Sequence, residues 1–269
     1  MQFATPGSES RKGFTLLELM AILAMVGVLV LLAGAGLAHS QMSSDRSVCA
    51  HNLRDLTKGW QMYADDFSGA LMGNQGNQTR PPPYLSWVAG FLDFSPANSD
   101  NVNTAYLTNS AYAAMGLYVK TAASFRCPAD HSTVIRPTGP NLRVRSYSMN
   151  GYLGQGALAW SIGFQVMTNM TQVPQPAGTL VVLEEHPISI NDGIFIVDVA
   201  DVGPAARLID YPAAYHLGGA NLSMADGHVE YWRWADPRTI INGSMFPVNT
   251  ATPNDPDVAR LQRVSSYRP

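Results

Sequence analysis

The stretch RKGFTLLELMAILAMVGVLVLLAGAGLAHS, residues 11–40, sets one acid, Glu18, at the front of a long apolar run. From residue 19 to residue 38 every side chain is apolar or absent, twenty positions in succession. About 20 helical residues cross the hydrocarbon core of a bilayer, so the run reads as a membrane segment. A charged side chain at the centre of such a helix costs roughly 2.5–3.5 kcal/mol on the insertion scale, and less one turn inside the interface. Glu18 therefore calls for a partner. Arg11 and Lys12 precede the run, and the positive-inside rule would hold them in the cytoplasm and send the rest of the chain across. The plainer alternative is a secretory signal cut among the small residues 33–38.

Downstream, Cys49, Leu53, Leu56, Trp60 and Tyr63 recur every three or four residues, the spacing of one helix face. No proline interrupts residues 14–66, so the membrane helix is expected to continue as an amphipathic half, loosened near Gly34 and Gly36. Glycines, asparagines and Pro81 to Pro83 then mark the exit into a head. YLSWVAGFL (84–92) reads as a strand and NVNTAYLTNSAYAAMGLYV (101–119) as a short helix. RVRSYSMN, GTLVVLEEH, GIFIVDV, ANLSMA and HVEYWRW read as strands parted by Gly, Pro and Asn. The expected fold class is α+β: a long N-terminal helix, membrane-spanning in its first half, packed on an antiparallel sheet. The expected divisions are a leader at 1–13, a membrane and assembly helix at 14–38 and its amphipathic continuation at 39–66. A head follows at 67–245, with a flexible tail at 246–269, rich in Pro, Asn, Asp and Thr.

A net charge of −3 without any block of like charges offers no basic track for phosphates, which argues against nucleic-acid binding. Nucleophile-elbow and P-loop patterns are missing from the sequence, and GYLGQG lacks the strand-to-helix setting of a dinucleotide fingerprint. Glu184 and Glu185 are neighbours in an expected strand, so they point to opposite faces and make a poor acid–base pair. Trp232 and Trp234 share one face of their strand and read as core. No enzyme activity is expected.

Cys49 and Cys127 are the two cysteines. In an exported head they are expected to form a disulfide closing a long loop, with two buried thiols as the alternative. Near the C-terminus, YHLGGANLSMADGHVEYWRW (215–234) reads as a hairpin turning at Asp226 and Gly227, with Gly218 and Gly219 permitting a bend before its first strand. Glu185, His186, Asp192, His216, Asp226 and His228, with Glu184 nearby in sequence, could gather as ligands for Zn²⁺ or Ca²⁺. A turn held by hydrogen bonds, without metal, is the simpler expectation.

GFTLLEL, residues 13–19, resembles the prepilin cleavage and methylation signal of type IV pilins and type II secretion pseudopilins. His216, nine residues and then Asp226-Gly227 resemble the H-x9-DG signature of pilin-associated heads. Cysteines before NLRDL and inside RCPAD look like the paired positions of large pilin-like proteins. The resemblance implies cutting after Gly13, methylation of the new Phe14 amine, and pairing of Glu18 with that amine on a neighbouring subunit. It implies a structural filament subunit whose partners are its own copies, a prepilin peptidase, assembly-platform proteins and the cytoplasmic membrane. The precursor would sit there as a single-pass protein with its head outside, then pass into a periplasmic or cell-surface filament. The rival expectation is a membrane-tethered binding module or metal-dependent hydrolase that does not polymerise.

Overall fold

The computed structural model describes residues 15–74, 85–156, 161–241 and 249–269, without side chains for 30–40. Contacts divide the chain into two units, Met1–Met42 and Ser43–Pro269. Helix α1 runs over Leu16–Asp66. In the first unit its start is fixed by reciprocal bonds. The Glu18 carboxylate accepts from the Thr15 amide and hydroxyl, each at 2.9 Å, while the Glu18 amide donates to Thr15 Oγ1 at 3.2 Å. This is a capping box, a Thr and a Glu three residues apart satisfying each other's orphan donors.

In the second unit, Cys49, Leu53, Leu56 and Trp60 are wholly buried on one face of α1. Each such side chain contributes about 1.5–3 kcal/mol on leaving water. The helix ends where Ser68 and Gly69 both turn left-handed (φ 55° and 84°) and the Gly69 amide reaches back to the Ala64 carbonyl at 2.7 Å. A short helix, α2 (Ala105–Thr108), precedes the strands, which begin with the hairpin β1 (Thr133–Arg136) and β2 (Gly139–Leu142). There follow β3 (Tyr147–Asn150), β4 (Leu180–Glu184) and β5 (Ile194–Phe195). Next come β6 (Arg207–Leu208), β7 (Gly219–Met224), β8 (Val229–Arg233) and β9 (Thr250–Ala251), and α3 (Pro256–Ser265) ends the described elements.

The main sheet has the order β5-β3-β4-β7-β8. β3, β4, β7 and β8 pair antiparallel, but β5 runs parallel to β3. The α1 segment from Ser43 onward lies on this sheet. Thr57 Oγ1 donates to Ser223 Oγ at 2.6 Å, Gln61 Nε2 to the Ala225 carbonyl at 2.9 Å, and Asn52 Nδ2 to the Arg126 carbonyl at 3.1 Å. Arg143 and Arg145, both nearly fully buried, reach from the entry of β3 into the segment that leads to β5. Arg143 donates to the carbonyls of Pro187 (2.6 Å) and Ile190 (2.8 Å), and Arg145 to those of Tyr147 (3.1 Å) and Asp192 (2.5 Å).

Several sequence expectations are corrected. Among the described residues no helix is long and apolar enough to cross a membrane. The fold class as expected, with a membrane-spanning first half on an antiparallel sheet, therefore does not hold, and the assignment as a pilin-type membrane protein loses its anchor. The single-pass localisation falls with the span. The head is β-rich, and its main sheet is mixed because β5 arrives parallel. YLSWVAGFL forms no strand over its described residues. Its amides are satisfied piecemeal, Trp87 by the Gly73 carbonyl (2.7 Å) and Ala89 by that of Tyr106 (2.9 Å), around Gly90 at φ 86°. The tail is not loose over its described part. Asp255 caps α3 by accepting from the Asp257 amide, Pro256 occupies the first turn, and Val258 and Leu261 are 1% exposed. Asn150 Nδ2 ties the end of α3 to the sheet, donating to the carbonyls of Ser265 (2.8 Å) and Leu180 (3.0 Å).

Candidate functional site

Four chain segments meet behind the β4–β7 pair. Cys49 comes from α1, Cys127 from the loop before β1, Glu184 from the end of β4 and His216 from the loop before β7. The sulfurs of Cys49 and Cys127 are joined, with Cα atoms 5.3 Å apart across 78 residues of sequence. All four side chains are buried. His216 is delivered by a tight reversal in which Leu217 and Gly218 are left-handed (φ 54° and 76°). The His216 amide donates to the Gly219 carbonyl at 3.2 Å, and Tyr231 Oη donates to the His216 carbonyl at 2.5 Å. A side chain on Gly219 would meet the Trp232 carbonyl at 2.3 Å, so only glycine allows this approach of the two strands.

The imidazole is used from one end. His216 Nε2 lies 3.0 Å from Glu184 Oε1 and 3.4 Å from Cys127 Sγ. His216 Nδ1 is buried without a hydrogen-bond partner. The Glu184 carboxylate also accepts from the Asn221 amide (3.0 Å) and from Asn221 Nδ2 (3.1 Å), and its charge adds to burial in raising the Tyr147 phenol well above its usual range. A nucleophile–base–orienter relay needs the two ring nitrogens to face different partners. Here one nitrogen faces both sulfur and carboxylate, which does not suit that chemistry.

The residues singled out from sequence distribute as follows. Gly13 and Phe14 lie outside the described residues. Glu18 is exposed and engaged in its own capping box. Cys49 and Cys127 form the disulfide. The six expected metal ligands do not converge: among the described residues the one grouping of potential ligands contains His216 but none of the other five. Glu185 accepts from Ser189 Oγ at 2.6 Å, and burial, reinforced by the charge of Asp210, raises its carboxyl well above the usual range. His186 Nδ1 accepts from the Ile188 amide at 3.2 Å, and burial lowers its pKa. Asp192 accepts from the Ile194 amide at 2.8 Å, and burial raises its carboxyl.

Asp226 and His228 belong to the hairpin between β7 and β8. Gly227 is left-handed (φ 95°) and its amide returns to the Met224 carbonyl at 2.8 Å, the three-residue hairpin with a glycine bulge rather than a two-residue turn. His228 bridges Asp226 (Nδ1, 2.6 Å) and Glu230 (Nε2, 3.0 Å) at the surface, and the hydrogen bond it gives to the Glu230 carboxylate is the main reason its pKa is raised. The H-x9-DG spacing thus measures a strand. His216 and Asp226 flank the six residues of β7, which at about 3.3 Å each separate them by roughly 20 Å.

Two contributors escaped the sequence reading. Thr15 was visible as the first residue of T-x-x-E ahead of an apolar run. Asn221, which orients Glu184, had no local signal because its partner is 37 residues away. No family model, curated protein or solved structure matches this chain.

Proposed function

We propose that the chain is a structural subunit of a type IV pilus-like or type II secretion-like filament, assembled through the N-terminal part of α1. The observation that carries this reading is the apolar surface of that segment. Leu16 and Leu17 are 76% and 79% exposed, and Leu19, Met20, Leu23, Met25, Val26, Val28 and Leu29 are exposed with them. A helix apolar all round has to be covered. Packing against the same segment of other copies does this, and a repeated head-to-tail contact that does not close gives an open fibre. Glu18 sets the register by facing the Phe14 amine that cutting after Gly13 creates on a neighbour, since either charge left alone in an apolar bundle is penalised. A prepilin peptidase and assembly-platform proteins are the further partners of this reading.

The capping box supplies the decisive control. E18A removes the register charge and the carboxylate half of the box but keeps the bond from the residue 18 amide to Thr15 Oγ1, whereas T15A removes that hydroxyl cap, worth about 1 kcal/mol of helix start, and leaves the carboxylate. Sedimentation and negative-stain microscopy of sheared material should show fibres for wild type and T15A and none for E18A. Equal loss in T15A and E18A would reduce Glu18 to a cap. Wild-type processed chain that stays monomeric would end the filament reading.

A further inference from the structure

We infer that, once the Cys49–Cys127 bond is opened, the pocket around His216 binds one Zn²⁺ through Cys49 Sγ, Cys127 Sγ, His216 Nε2 and Glu184 Oε1. This inference is independent of filament assembly and concerns the head alone. The four ligand atoms lie within 4.8 Å of one another in a buried pocket, and each comes from a different segment of the fold. Zinc bonds of about 2.3 Å to sulfur and about 2.0–2.2 Å to nitrogen or oxygen make tetrahedron edges of roughly 3.3–3.7 Å. The 3.0 Å from Nε2 to Oε1 and the 3.4 Å from Nε2 to Cys127 Sγ are close to such edges. The two bonded sulfurs must move apart to reach such an edge. Two thiolates, an imidazole and a carboxylate are a zinc-type donor set, and four protein ligands close the shell as in structural sites.

Two further observations favour a ligand role over simple packing. His216 Nε2 points at both the sulfur and the carboxylate, the two kinds of donor that a zinc ion would share with it. Glu184 is oriented by Asn221, whose amide donates to Oε2 and whose Nδ2 donates to Oε1, the outer-shell support that ligating carboxylates have. The chemistry balances as follows. A phosphine reductant takes the oxygen of one water and becomes a phosphine oxide, and the water's two protons go to the two sulfurs. Zn²⁺ then displaces both thiol protons. Any proton on Nε2 moves to Nδ1, and two protons are released per ion bound. The disulfide and the metal are therefore mutually exclusive occupants of one pocket.

The test uses the full chain in mild detergent, reduced by a phosphine in denaturant and refolded under argon with or without Co²⁺ or Zn²⁺. One Co²⁺ per chain should bind with thiolate-to-cobalt absorption in the near ultraviolet and strong tetrahedral bands in the visible, both bleached by Zn²⁺ and both absent from the oxidised protein. H216A and E184Q should alter the visible bands and weaken Zn²⁺ at least about tenfold. If reduced chain refolds only when metal is present, as judged by near-ultraviolet circular dichroism, the inference is also supported. It is overturned if reduced chain regains its native dichroism and takes up no Co²⁺. It is equally overturned if refolding fails with metal and without, or if H216A and E184Q bind as tightly as wild type, since two cysteines alone would then hold the ion.

Discussion

Replacing both Cys49 and Cys127 by alanine tests how the head is stabilised. In the chain-entropy account a cross-link restricts the unfolded chain, and for 78 residues of separation the loss is about 15 cal/mol/K, or about 4.5 kcal/mol at 25 °C. The cystine is fully buried in the main core, so truncation adds a cavity cost to the entropic one. For a unit the size of Ser43–Pro269, each kcal/mol moves the melting temperature by about 2–4 °C, which gives a fall of roughly 9–18 °C. Guanidinium and thermal melts by circular dichroism should therefore show a large drop in C49A/C127A. The guanidinium slope should steepen too, because the untied denatured chain exposes more surface. Wild type reduced in the presence of a metal chelator separates the two costs, since it loses the tether without losing the side chains. A loss below about 1 kcal/mol with an unchanged slope would refute the tether account.

Gly154 sits at φ 98°, and a side chain there would come 1.9 Å from the Met72 carbonyl; G154A should cost about 2–5 kcal/mol from backbone strain and overpacking, and a midpoint within 0.5 kcal/mol of wild type (on the order of a neutral surface change) would contradict the close approach. Burial pushes the Asp210 carboxyl up to about 7, against the hydrogen bond from the Ile196 amide and with the charge of Asp192 adding to it. The folded chain then keeps a proton that the unfolded chain releases above about 4. The stability involved is complete below that pH and is lost as pH rises through about 7. D210N, which retains an acceptor for the Ile196 amide, should flatten that decline in urea midpoints between acidic and alkaline buffer; parallel profiles for the two proteins would exclude it. E230Q should lower the pKa of His228, read by NMR titration of its ring protons, because Glu230 supplies the largest share of the upward shift.

The five segments of the main sheet were legible because they alternate or run apolar between glycines and asparagines. The direction of β5 was not, because it is decided by Arg143 and Arg145 gripping a segment more than 40 residues downstream. Residues 85–90 are mostly apolar and buried like a strand, yet the amides of Trp87 and Ala89 find scattered carbonyls instead of a ladder, which no local pattern announces. The polar composition of the tail hid α3, although Asp255-Pro256 ahead of Val258 and Leu261 carried a start signal and a short apolar face. In the site, the H-x9-DG motif pointed to His216, and Glu184 stood among the residues grouped with it, but the cystine did not. Its companions Glu184 and Cys127 lie 32 and 89 residues away and are brought in by sheet pairing and the cross-link.

The grip of Arg143 and Arg145 on the approach to β5 falls on main-chain oxygens, not on carboxylates. Peptide oxygens gain no proton at any pH the molecule would meet, and Arg145, though burial draws it down to about 10, stays cationic through neutral and acidic conditions. Where ion pairs loosen as acids neutralise, this fastening does not. Acid should thus loosen contacts that depend on carboxylates, the surface trio around His228 among them, and leave the edge of the sheet clasped.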